Sequence, residues 1–126
     1  MIDMLSFIRT AALLNNMDIN IEKNGNVTII ELNGDLNANA TAKIQDQVLS
    51  ATPPNSKVLL DMSNVKYMSS AGLRFLLLLS RQLGGQVGNI VLAGLREEVE
   101  DVMSITGFLD FFITAENRAE ALKTLS

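Results

Sequence analysis

The sequence predicts an α/β domain built on a mixed β-sheet, opening with an antiparallel hairpin and continuing in parallel strands. Three observations predict it. Alternating apolar residues flank Asn24-Gly25, and strand-length apolar runs follow at 57–63 and 89–94. Amphipathic stretches of about 10 to 13 residues separate these runs, the alternation expected of parallel strand-helix-strand units with right-handed crossovers. A chain of 126 residues supports one core of useful size, so the expectation is a single domain over 17–126 behind a helical extension over 1–16.

Each element has a local reason. In "DINIEKNGNVTIIELNGDL", Ile19 and Ile21 alternate before Asn24-Gly25; Val27 and Ile29 then fall on one face, and Ile30 and Leu32 on the other. Asn-Gly between such runs is a strong hairpin signal, because both residues tolerate positive φ. "NANATAKIQDQVLSA" repeats Ala40, Ile44, Val48 and Ala51 at helical spacing, with Asn39 or Thr41 as the cap, and "TPPN" ends it. The strand "KVLLDMS", a helix from Ala71 to Leu83, the break "GGQVG", the strand "NIVLAG" and the helix "REEVEDVMSITG" follow. A short "FFI" strand and a last helix, "AENRAEALKTL", complete the chain.

Upstream, Met1, Ile2, Met4, Leu5, Ile8, Ala11, Ala12 and Leu13 form a broad apolar helical stripe. It suits a helix packed on its own domain, or an intermolecular contact such as a homodimer. A membrane-surface anchor is disfavoured, since one Arg gives little attraction to anionic lipid. Met17 would also serve as a start.

Composition removes several function classes. With 14 acidic against 10 basic side chains, net charge −4 and no basic block, the chain has no footprint for nucleic acid. The absence of Cys and His removes thiol chemistry, the usual metal ligand and the usual general base. No nucleophile and base pair is visible among the scattered carboxylates, so the expectation is a non-enzyme without cofactor. No run is long enough to span a bilayer and no signal peptide is evident, which suggests a cytoplasmic protein.

The stretch "VKYMSSAGLRFLLLL" sets two serines and a glycine before a helix. A start near Ala71 puts Ser69 at N′ and Ser70 at the N-cap, where a hydroxyl satisfies a free backbone N–H. The same end of a helix tolerates a phosphate. Leu73, Leu76, Leu77 and Leu83 suffice for a core stripe, whereas Phe75, Leu78 and Leu79 point away from it. Those three are covered by the N-terminal segment or bind a partner.

Together "GDLNANATAKIQDQV", "VLLDMSNVKYMSSAGLRFLLLL" and "NIVLAGLREEVEDVMSITGF" resemble the STAS domain, in particular bacterial anti-sigma factor antagonists, over residues 18–126. The resemblance implies a STAS-like mixed sheet with helices mainly on one side. It implies that the unphosphorylated protein binds an anti-sigma factor with serine kinase activity, freeing a sigma factor. Phosphorylation of a loop serine ends that binding, and a serine phosphatase restores it. Position by position, Ser70 aligns with the phosphorylated serine, Met68 with the apolar loop residue, and Gly72 with the family glycine. Ser69 stands where the family has Asp and competes as acceptor. Asn37 stands where many members have Asp at a contact surface, beside Asp35, and Asp61 resembles an acidic position near the loop. The implied partner surface thus comprises Asp35, Asn37, Asp61, Met68, Ser69, Ser70, Gly72, Phe75, Leu78 and Leu79. The alternative is a STAS module that is never phosphorylated and assembles with itself or another regulator.

Overall fold

A computed structural model describes residues 17–125, so the expected extension over 1–16 lies outside the described residues. Strands β1 (Asp18–Asn24), β2 (Val27–Asn33), β3 (Lys57–Asn64), β4 (Ile90–Ala93) and β5 (Ile113–Ala115) form one sheet in sequential order. β1 runs antiparallel to β2 and the other pairs are parallel. The α-helices among the described residues are α1 (Ala38–Ala51), α2 (Ser70–Gln82), α3 (Glu97–Ile105) and α4 (Arg118–Leu125).

Sequential strand order explains the layering. When each parallel strand is laid beside the last by a crossover of one hand, every crossover helix falls on the same face of the sheet. Accordingly α1, α2 and α3 share one core with Ile30, Leu32, Val58, Leu60, Met62, Ile90 and Leu92. The helix after β5, α4, instead turns back over the other face. There Ala121 and Leu125 cover Val27, Ile29, Leu59 and Val91.

Several local expectations shift by a residue or more. The hairpin turns on Gly25-Asn26 rather than Asn24-Gly25: Asn24 pairs with Val27, Gly25 has φ +61°, and Asn26 is not left-handed. A two-residue turn of the II′ class needs positive φ only at its first centre, which glycine supplies. This register sets Ile19 and Ile21 opposite Leu32 and Ile30, on the main core face. The cap of α1 is Asn37 rather than Asn39 or Thr41. The "FFI" strand starts later, because Phe108–Phe111 form a 3-10 turn and β5 begins at Ile113.

Candidate functional site

β2 and β3 end side by side, and the loops leaving them stay paired beyond the sheet. Leu36 and Met68 form a parallel bridge. The Leu36 N–H donates to the Tyr67 carbonyl at 2.9 Å, and the Ser69 N–H donates to the Leu36 carbonyl at 3.1 Å. This clip sets the N-termini of α1 and α2 next to each other.

Each helix is capped by a side chain. The Asn37 side-chain oxygen accepts from the Ala40 N–H at 2.9 Å, and the Ser69 hydroxyl accepts from the Gly72 N–H at 3.4 Å. The N-cap of α2 is therefore Ser69 and not Ser70, a correction of one position. The Ser69 hydroxyl also donates to the Leu36 carbonyl at 3.3 Å, so both its donor and acceptor roles are engaged. Ser69 is half-buried, whereas Ser70, the first helical residue, is exposed. Among the described residues the Ser70 hydroxyl has no hydrogen-bond partner.

Gly72 explains why the clip can be so close. A Cβ there would lie 2.7 Å from the Leu36 carbonyl oxygen and 2.8 Å from Met68 Cγ. The backbone oxygen cannot yield without breaking its bonds to Ser69. The glycine therefore serves the fit between α2 and the Leu36 loop, and Gly72 is buried rather than open to a partner. Met68 is buried as well, at 3% exposure, plugging the space beneath the loop.

Two of the three residues expected to face away from the core are inside it. Phe75 and Leu79 are fully buried, because α2 packs against the sheet on one side and α1 on the other. The Gln82 side chain locks that second contact by donating to the Leu49 and Thr52 carbonyls of the α1 end at 2.7 and 2.6 Å. Burying two such side chains contributes roughly 1.5–3 kcal/mol each. Leu78 alone is exposed, with Tyr67 nearer the serines. Asp35 is exposed in the Leu36 loop and Asn37 is half-buried at its cap.

Asp61 does not join this surface. Its side chain lies on the α4 face, where one carboxylate oxygen accepts from the Ser63 N–H at 3.0 Å and the Ser63 hydroxyl at 2.7 Å. The other oxygen accepts from Arg118 Nε at 2.7 Å. Arg118 also binds Glu31, and reaches Glu22 at 3.3 Å. β-sheet alternation and register place Glu22, Glu31 and Asp61 on one face, and the first residue of α4 supplies the cation. Burial pushes the Asp61 carboxyl up, but the Ser63 and Arg118 hydrogen bonds outweigh it and hold the group below its usual range. Glu31 is also lowered, first by the Asn33 amide, then by Asn20 and Arg118. Sequence reasoning did not identify Arg118; the available signal was that two carboxylates of paired strands on a half-covered face call for a cation.

No group of three or more His, Cys, Asp or Glu side chains able to hold a metal ion occurs among the described residues. No described helix is long and apolar enough to cross a membrane. What the serine end offers chemically is one free hydroxyl at a helix start, and Asp35, Lys66, Tyr67 and Arg74 on the adjoining loops and first turns of α2 are exposed as well.

Known proteins share this fold. The STAS domain profile matches residues 18–121. BtrV of Bordetella bronchiseptica, which carries the name of anti-sigma factor antagonist, is 36% identical over 112 residues, 86% of this chain and 97% of its own. A Thermotoga maritima protein with the same description superposes with a TM-score of 0.77 at 20% identity, covering 85% of this chain and 93% of its own. The phosphorylated form of the Bacillus cell fate determinant SpoIIAA superposes with a TM-score of 0.64 at 18% identity, over 86% of this chain and all of its own. At those identities the two structures speak for the fold.

Proposed function

The chain belongs to the STAS domain family, and on that premise we propose that it is an anti-sigma factor antagonist switched at Ser70. Unphosphorylated, it binds a cytoplasmic anti-sigma factor with serine kinase activity and frees the sigma factor. Transfer of a phosphoryl group to Ser70 ends the binding, and a serine phosphatase restores it. The chain is then a regulated binding module, a substrate rather than an enzyme.

The observation that carries this reading is the inequality of the two serines. The Ser69 hydroxyl caps α2 and bonds the Leu36 carbonyl, whereas Ser70 is exposed at the first position of the same helix with its hydroxyl free. Ser69 in place of the family Asp thus acts as a cap, a role Ser and Asp fill about equally well. Phosphate on Ser70 would add about −1.5 to −2 charges at an already exposed point without breaking an existing bond.

Incubation with the cognate anti-sigma kinase and ATP is expected to place phosphate on Ser70 by mass spectrometry. S70A should stay bound to that kinase, and S70D should bind weakly. Absence of phosphate from both serines, together with unimpaired binding by S70D, would sink the switch. It would leave the second reading, a module that assembles without phosphorylation, which the exposed Ile105 and Phe111 favour.

A further inference from the structure

We propose that Arg74 is the counter-ion of a phosphate carried by Ser70, forming a clasp internal to α2; the inference rests on the switch reading above and adds a residue to it. Ser70 and Arg74 are both exposed and stand four apart on the same helix. Such a pair shares one face, and every Cα–Cβ bond tilts toward the helix N-terminus, so the longer side chain leans over the turn that carries the shorter. The order is the favourable one, with the anion N-terminal to the cation.

The guanidinium is uncommitted. Among the described residues Arg74 makes no hydrogen bond or ion pair. By contrast Arg118 is held by three carboxylates, and Arg96 Nε donates to the Ser63 carbonyl at 2.8 Å. Arg81 lies on the exposed side of α2 too, but at a rise of 1.5 Å per residue it is about 16 Å along the axis from Ser70. A planar guanidinium can take two phosphate oxygens at once, which suits Arg74 to a phosphoserine better than a lysine would.

The same geometry discriminates between the serines. Ser69 is five residues from Arg74, rotated by about 140° around the helix at roughly 100° per residue, so its side chain leaves on another side. A phosphate on Ser69 would also forfeit the bonds to Gly72 and Leu36. Arg74 therefore stabilises the dianion at Ser70 only, and a phosphatase must draw the phosphate off the guanidinium before it can act.

The test places phosphoserine at position 70 during translation, so it does not depend on any kinase recognising the chain. Phosphorus NMR then follows the second ionisation of the phosphate against pH. R74Q should raise that pKa by about 0.3 unit at low salt, the size of an exposed pair at this spacing. R74K should retain most of the wild-type value, R81Q should leave it unchanged, and about 1 M salt should erase the difference between wild type and R74Q. An identical second pKa in wild type and R74Q at low salt would overturn the clasp. That result would leave the switch standing, because the switch is decided by phosphate transfer and partner release.

Discussion

The serine end and the Arg118 face lie on opposite sides of the same sheet, and they are ordered by different forces. At the serine end the work is done by neutral groups: the Leu36–Met68 bridge, the Asn37 and Ser69 caps, and a glycine where a Cβ would strike a carbonyl. Polar capacity there is left over, since the Ser70 hydroxyl and the Arg74 guanidinium are exposed without partners among the described residues. Across the sheet Arg118 gathers Glu22, Glu31 and Asp61 into a closed network. A closed network holds α4 in position and has little left to offer a ligand. An end ordered by backbone contacts keeps its polar side chains available, and that is where regulation can act.

Gly72→Ala breaks the first side of this comparison hardest. Its Cβ would sit 2.7 Å from the Leu36 carbonyl oxygen, so the loop or the helix must move. The expected cost is about 2–3 kcal/mol by urea unfolding. An unchanged midpoint would show that the clip yields easily.

Arg118→Met tests the second side and should cost less, about 1–2 kcal/mol, because the cluster is partly open to water. It should also change the pH profile. Asp61 and Glu31 ionise more readily folded than unfolded, so their stabilisation is fully present above the ordinary carboxylate range near about pH 4. It is lost as the pH falls through the lower folded-state values. Thermal midpoints of the wild type should therefore drop on acidification more steeply than those of R118M. Parallel curves would remove the network from the account.

The smallest effect sharpens the distinction between the serines. Ser69→Ala should cost about 0.5–1 kcal/mol through loss of the cap, while Ser70→Ala should be nearly silent in unfolding. Equal costs would mean that the cap is shared.

Much of the fold was legible because it is written in local period. Alternation gave the strands, and helical spacing gave the helices between them. The site was legible only in part. Ser70 stood out by resemblance, yet its place as the first helical residue depends on the Leu36 carbonyl, 33 residues away from Ser69. Phe75 and Leu79 read as pointing away from the core because a helical wheel gives directions without neighbours. α1 supplies the neighbour, and Gln82 fastens it. Asp61 read as an acid near the serine loop because the cation that claims it, Arg118, comes 57 residues later.

By itself, then, the sequence determined which segments are strands and helices, their alternation, and the presence of two hydroxyls at the start of an apolar helix. These follow from periodicity and turn chemistry, which act over a few residues. Tertiary structure decided which serine is bound and which is free, which apolar side chains are covered, and which carboxylates are paired. Those outcomes depend on contacts between segments remote in the chain, and a contact has no period to read.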